Sequence, residues 1–205
     1  VNPDFAQVEA DDQQINLTRF SLFFPEKRTF FQERSSIFNF GFEGKSNIFY
    51  SRQIGLNKGE QVPILGGGRI TGMAGKWDIG FLDLQTQSFD PSDTLQSSLP
   101  SENFGVLRLR RQVINRNSYV GGILTSRLGM DGSYSTSYGI DGIFEILKND
   151  YLNIKLAQVM AANNTNNPVS LEPTRLFLNW KRYNDKRPGY DFTYTRSGKD
   201  FKPAI

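Results

Sequence analysis

The residues that could do chemistry in this chain are few in type, because the sequence contains no histidine and no cysteine. Without imidazole or thiol groups, the chain itself cannot supply a Ser-His-Asp or Cys-His catalytic group, a disulfide or a cysteine-based zinc site. Carboxylates remain, and Glu9, Asp11 and Asp12 could offer oxygen ligands to a hard cation such as calcium. The spacing and glycine of an EF-hand loop are missing, so a solvated acidic turn is the simpler interpretation. We expect no metal, no cofactor and no enzymatic activity.

A glycine-rich run, GGGRITG at residues 66–72, invites comparison with a phosphate-binding loop. Its spacing fits neither of the common nucleotide-binding patterns, and it leads into a strand rather than a helix. We therefore expect a bend or bulge that glycine permits at the rim of a barrel.

Charged and apolar residues alternate over most of the chain beyond residue 69. Leu107 and Leu109, for example, fall on one side of a segment in which Arg108 and Arg110 fall on the other. A period of two is that of a β-strand, whose successive side chains project to opposite faces. The pattern predicts about eight strands, and a ninth over residues 37–42, where phenylalanine occupies every second position.

The connections between these strands differ in length. Short joins are expected at residues 74–75, 114–117, 148–150 and 184–189, and longer polar ones at residues 88–103, 128–136 and 161–173. This alternation predicts an antiparallel up-and-down meander with tight hairpins at one end and loops at the other. Together with strands of about 9–11 residues, it is typical of an outer-membrane β-barrel.

In such a barrel the alternation fixes which side chains meet lipid, because an arginine or lysine facing lipid at mid-membrane costs about 2–4 kcal/mol. The predicted lumen-facing residues are Arg108, Arg110, Asp141, Glu145, Lys155, Lys181 and Asp191. The predicted lipid-facing residues are Leu107, Leu109, Ile140, Phe144, Ile154, Leu156, Leu176 and Leu178. The charged set would either line a water-filled passage or pair into a network that fills it.

Aromatic residues also concentrate near the predicted strand ends, where amphipathic rings favour the level of the lipid headgroups. The candidate girdle consists of Trp77, Phe104, Tyr119, Tyr151, Trp180, Tyr183 and Tyr190. The net charge of +3 is small and interspersed, so nucleic acid is not an expected partner.

The pattern alone leaves a soluble all-β binding module open, since sandwiches and small soluble barrels also alternate and bury aromatics. Two segments fit neither model cleanly. Residues 77–87 change phase near Leu82, for which a bulge is the expected cause. Residues 119–127 are small and polar on both faces, without an evident reason.

The first third of the chain follows neither period, and its residues carry a family resemblance. The stretches VNPDFAQVEAD (1–11), FFPEKRTFFQE (23–33), IFYSRQIG (48–55) and VPILGGGRITG (62–72) resemble the DUF5916 proteins of Bacteroidota type. In that family a domain like carbohydrate-binding family 9 precedes a long β-barrel region. The resemblance implies an outer-membrane location in a diderm bacterium, an N-terminal sugar-binding-like domain absent from this sequence, and further strands after residue 205.

Together these observations predict an all-β protein, the N-terminal part of a larger antiparallel transmembrane β-barrel. Residues 1–36 would form an irregular plug or linker, and residues 37–205 the strands and loops. Within the former, Pro25-Glu26-Lys27-Arg28 is either part of a plug or docking segment, or a charged turn between aromatic anchors. The expected function is a passive channel or a surface-display scaffold, with outer-membrane lipid and other surface proteins as partners.

Overall fold

The computed structural model describes residues 26, 28–42, 46–57, 60–91, 98–162, 169–183 and 188–205. Short elements come first: helix α1 (Thr29–Gln32), 3-10 helices at Ser35–Phe38 and Ser51–Gln53, and two hairpins that pair β1 (Gly41–Phe42) with β2 (Ser46–Asn47) and β3 (Leu56–Asn57) with β4 (Glu60–Gln61). The longer strands are β5 (Ile64–Ala74), β6 (Trp77–Thr86), β7 (Glu102–Gln112), β8 (Tyr119–Gly129), β9 (Tyr134–Leu147), β10 (Asp150–Ala161), β11 (Thr174–Arg182) and β12 (Tyr190–Ser197).

The longer strands form one sheet in which every strand pairs antiparallel with its neighbours in sequence. The sheet has eight strands in the order β12-β11-β10-β9-β8-β7-β6-β5. The predictions of an all-β chain and of an eight-stranded meander are therefore confirmed. Strands β5 and β12 lie at the two edges, and within the described residues they do not pair with each other. No helix in this part of the chain is long and apolar enough to span a membrane.

The connections follow the predicted asymmetry with one exception. Residues 75–76, 113–118, 148–149 and 183–189 join the strands at one end, which we call the short-turn end, and residues 87–101, 130–133 and 162–173 join them at the other. The predicted long loop over residues 128–136 is wrong, because β8 and β9 extend into it. A tight turn remains there, closed by a 2.8 Å hydrogen bond from the Gly129 amide to the Ser133 carbonyl.

The strand predicted over residues 37–42 is also wrong. A 3-10 helix occupies Ser35–Phe38, and only Gly41–Phe42 pairs as a strand. The eight-stranded sheet begins at Ile64, so the described residues of 37–62, a range that the sequence assigned to the barrel, lie outside it. We call residues 28–42, 46–57 and 60–62 the covering segment, because they lie against one face of the sheet.

The buried core lies between the covering segment and this sheet face. The covering segment contributes Phe31, Ile37, Phe38, Phe40, Phe42, Ile48 and Ile54; the strands contribute Ile64, Leu82, Leu84, Phe104, Val106, Ile123, Ala157, Val159 and Phe177; and the end of the chain contributes Phe201 and Ile205. The Phe42 and Phe201 rings meet edge to face at 5.8 Å. We call this covered face the inner face and the opposite one the outer face.

Strand β6 explains why the sequence pattern changed phase near Leu82. Its pairing with β7 runs without a shift from Trp77 to Gln85, so the expected bulge is absent there. The inner face itself changes instead, from Asp78 near the short-turn end to the buried Leu82 and Leu84 beneath the covering segment. A bulge does occur immediately before the glycine-rich run, where the register of β5 shifts between Ile64 and Gly66.

Candidate functional site

The sheet register places the two predicted residue sets on opposite faces. Lys155 pairs with Asp141, Lys181 with Asp191, and Tyr151 with both Glu145 and Lys181, so these charged residues share the inner face. On the outer face Leu109 and Ile140 both pair with Gly122, and Leu156 pairs with Ile140 and Leu176. None of the eight predicted lipid-facing side chains belongs to the buried core, and Ile140 is 63% exposed.

The centre of the inner face holds a buried ion pair. Arg108 on β7 donates two hydrogen bonds to the Asp141 carboxylate on β9, at 2.7 and 2.6 Å. The two side chains are 0% and 2% exposed. This bidentate geometry is the strongest that arginine makes with a carboxylate, and it satisfies both charges without water.

The pair forms across the intervening strand β8, and Gly121 makes room for it. A β-carbon on Gly121 would lie 2.8 Å from the Asp141 carboxylate and 2.9 Å from the Arg108 guanidinium. Any larger residue there would push the two groups apart. This explains why β8, which the sequence showed to be small on both faces, carries glycine in the middle of a strand.

Neighbouring polar groups extend the network toward the short-turn end. The Tyr119 hydroxyl donates to Asp141 at 3.2 Å, and Arg110 pairs with Asp78 on β6 at 2.6 Å. Arg34 of the covering segment reaches the same Asp78 carboxylate at 3.2 Å. The charges of the inner face are thus paired where the covering segment lies over them.

A row of cations ties the covering segment to successive strands. Arg69 on β5 donates to the backbone carbonyls of Phe30, at 2.7 Å, and of Glu33. Arg108 on β7 donates to the Ile37 carbonyl at 3.3 Å, and Lys155 on β10 donates to the Gly41 carbonyl. The carbonyls at residues 30, 37 and 41 thus meet strands β5, β7 and β10 in that order, so the covering segment crosses the sheet from β5 toward β10.

Aromatic contacts follow the same path. The Arg69 guanidinium lies 5.3 Å from the Phe38 ring, Arg108 lies 5.3 Å from Phe40, and the Lys155 ammonium lies 5.7 Å from Phe177. Each cation therefore meets both a carbonyl oxygen and the face of an aromatic ring, two groups that replace its hydration shell.

The other predicted lumen-facing residues lie nearer the short-turn end and are less enclosed. Glu145 accepts a hydrogen bond from Asn117 at 2.8 Å, in the turn between β7 and β8. Lys181 and Asp191 pair across β11 and β12 at 2.9 Å, with side chains 34% and 47% exposed.

The charged segment that the sequence singled out is anchored on the buried Arg28. Its guanidinium donates to the backbone carbonyls of Ile54 and Ser51 at 2.9 Å and pairs with Glu26 at 2.9 Å. Burial alone would raise the pKa of Glu26, but hydrogen bonds from Arg28 and Ser51 and the Arg28 charge outweigh it and hold that pKa below its ordinary value. Pro25 and Lys27 lie outside the described residues, as do Glu9, Asp11 and Asp12. Within the described part of the chain there is no cluster of acidic residues suited to a metal ion.

The predicted aromatic girdle divides between the two faces. Trp77, Trp180 and Tyr190 occupy the outer face near the short-turn end, with Tyr183 in the adjoining turn. Cations lie against these rings, with Arg111 at 5.3 Å from Trp77 and Arg182 at 5.1 Å from Tyr190. Phe104 is a wrong assignment, because it is a buried core residue, and Tyr119 and Tyr151 also project from the inner face.

Sequence reasoning missed two residues that organise the inner face. Arg69 is the only cation of β5, and it was missed because the glycine-rich run around it was considered only as a loop or bulge. Gly121 carries no charge and no periodic signal. The available clue was a glycine in β8, a strand whose two neighbours carry charged residues on the same face. Its role in making room for an ion pair becomes evident only when the pairing register is known.

The first third of the chain matches a known family model. DUF5916, described as a domain of unknown function, matches residues 1–66. This match confirms the predicted family resemblance over residues 1–66. The DUF5916 match includes the covering segment and the first residues of β5, so it covers the part that contacts the inner face. Neither the comparison with curated proteins nor that with solved structures gives a significant match.

Proposed function

We propose that this chain forms part of the wall and the internal plug of an outer-membrane β-barrel in a diderm bacterium. The barrel would be non-catalytic and would act as a scaffold that displays other domains at the cell surface. Lipid and other outer-membrane or surface proteins would be its partners.

The apolar outer face carries this proposal. Its large exposed side chains include Ile70, Trp77, Phe81, Leu107, Leu109, Val120, Leu124, Ile140, Leu156, Trp180, Phe192 and Tyr194, drawn from all the long strands. The charged residues of this face, such as Asp83, Arg111 and Arg196, lie near strand ends. A continuous apolar face of this extent is unusual for a soluble monomer and suits contact with hydrocarbon.

The inner face favours a scaffold over an open channel. The charges that would line a pore are instead paired with each other or bound to the covering segment, and phenylalanines fill the space between. A passive channel would need this segment to leave the inner face.

A charge placed on the outer face tests the proposal. Ile140 and Ile114 are both exposed, at 63% and 84%, but Ile140 lies within β9 and Ile114 in a turn. In a membrane, Ile140→Arg should lower the free energy of unfolding from lipid vesicles by about 2–4 kcal/mol. The matched control Ile114→Arg should change it by less than about 0.5 kcal/mol.

Vesicle flotation and heat-modified gel mobility of the detergent-purified protein would accompany these measurements. Equal effects of the two arginines would argue against lipid contact. A monodisperse protein that needs no detergent and binds glycans would favour the soluble binding module instead.

A further inference from the structure

A groove runs along the outer face over β7, β8, β9 and β10. It has a volume of about 790 Å³ and is lined mainly by Leu109, Val120, Leu124, Ile140, Phe144 and Ile154. Its floor is low at Gly122, whereas the Phe144 ring covers the neighbouring Gly142, where a β-carbon would lie 2.7 Å from that ring. A β-carbon on Gly122 would meet only the Gly139 carbonyl oxygen, at an ordinary 3.6 Å, so the space above it is open.

Cations gather where this groove meets the short-turn end. Arg111 and Trp77 both line it, and the guanidinium lies 5.3 Å from the indole ring. Lys76 is in the adjacent turn, where its carbonyl accepts a 2.9 Å hydrogen bond from the Gln112 amide, and Arg116 lies in the turn after β7. All three cations are exposed, and Arg111 forms no ion pair with any described residue.

The carboxylates of the neighbouring strands are engaged on the inner face, and Asp141, which also lines the groove, is bound to Arg108 there. Asp78 projects from the inner face and pairs with Arg110 and Arg34, and Glu145 also belongs to the inner face. The groove is therefore apolar along its length and cationic at one end, with an aromatic ring at the boundary. An anionic lipid is complementary to this arrangement, because its acyl chain is apolar and its phosphate is negatively charged.

We propose that this groove binds one acyl chain of an anionic glycerophospholipid, with the phosphate at Arg111. The inference rests on the proposed membrane location and specifies the lipid that the outer face selects. In barrels of this class the short turns face the periplasm, so the cationic end would lie in the leaflet that contains phospholipid.

The two tryptophans of the chain provide a direct measurement, because Trp77 lines the groove and Trp180 lies on β11. The protein in detergent micelles is titrated with phosphatidylglycerol that carries a brominated acyl chain, which quenches nearby indole fluorescence. In the W180F protein, Trp77 should be quenched saturably. In the W77F protein, Trp180 should show only weak, non-saturating quenching.

Filling the groove tests its role. In the W180F background, Gly122→Leu should raise the half-quenching lipid concentration about tenfold or abolish saturation. The matched control is Gly72→Leu, on the outer face of β5, where a β-carbon also meets nothing within 4 Å. If Gly122→Leu does not fold, Gly122→Ala replaces it and should give a smaller shift in the same direction. Equal behaviour of the Gly122 and Gly72 variants would overturn the proposal.

The headgroup is tested separately. Arg111→Gln should weaken binding of brominated phosphatidylglycerol about tenfold and leave that of brominated diacylglycerol, which has no phosphate, unchanged. Equal binding of the two lipids to the unaltered Arg111 protein would refute the assigned phosphate contact, and stronger competition by lipid A would refute the assignment to a glycerophospholipid. Vesicle flotation is scored on the same protein preparations after reconstitution without detergent, so saturable quenching without insertion would reject the membrane location while retaining the lipid site.

Discussion

At the scale of single residues, the Arg108–Asp141 pair is where the fold is most sensitive. Removing one partner leaves an uncompensated buried charge, which costs about 3–5 kcal/mol. Asp141→Leu should therefore lower the free energy of unfolding in detergent, measured with urea, by that amount. The double variant Arg108→Met, Asp141→Leu should recover most of the loss, because it leaves no charge unpaired.

The half-exposed pair at the sheet edge is the matched control. Lys181→Met breaks a contact with Asp191 that water already screens. Its cost should be about 0–1 kcal/mol. Similar losses for Asp141→Leu and Lys181→Met would mean that the inner face is open to water.

Glu26 gives the covering segment a predictable pH dependence. Its pKa is lower in the folded protein than in the unfolded chain, so it contributes stability above its ordinary pKa, about 4.3, and this contribution disappears as pH falls below that value. We expect the urea midpoint to drop between about pH 5 and pH 3, and to drop less in Glu26→Gln. Parallel pH profiles for the two proteins would contradict the assignment.

At the scale of elements, the covering segment is held by separate contacts that can be removed without touching the sheet core. Arg69→Met and Lys155→Met together delete the cationic ties at both ends of its path. Hydrogen bonds from charged groups contribute about 1.5–3 kcal/mol each, so amide exchange within residues 29–42 should accelerate at least tenfold. Exchange in β8 and β9 should stay unchanged, and Arg196→Met on the outer face should alter neither region.

The strands were predictable because alternation is a local property. Four consecutive residues are enough to assign the two faces of β7, because leucine at 107 and 109 alternates with arginine at 108 and 110. The covering segment was not predictable, because its burial depends on strands far along the chain. Phe38, Phe40 and Phe42 alternate like a strand and all three are buried, but Phe38 ends a 3-10 helix and only Phe42 lies in a paired strand.

The site was partly predictable for the same reason. Charges on the inner face could be assigned by period, but their partners depend on register. Arg108 meets Asp141 two strands away only because Gly121 lies between them, and no spacing along the chain encodes that contact. On the inner face the central charges are paired with each other or with the covering segment, and such pairing was one of the two outcomes that the sequence left open.

At the scale of the whole molecule, the filled inner face predicts low permeability. Phe40 is 1% exposed and stacks over the Arg108 pair, and Phe42 packs edge to face on Phe201. With this packing intact, vesicles containing the protein should swell in small sugars at nearly the rate of protein-free vesicles. Freeing the segment with Arg69→Met and Lys155→Met should raise the swelling rate, because the plug would leave part of the lumen to water.

The control for this assay is the outer-face variant Arg196→Met, which should insert equally well and swell slowly. Insertion is quantified by flotation, so that slow swelling is not mistaken for absent protein. Rapid swelling with the unaltered protein would replace the scaffold with a passive channel. Such a result would also imply that the covering segment leaves the inner face in the membrane, which amide exchange on residues 29–42 in vesicles would detect as loss of protection.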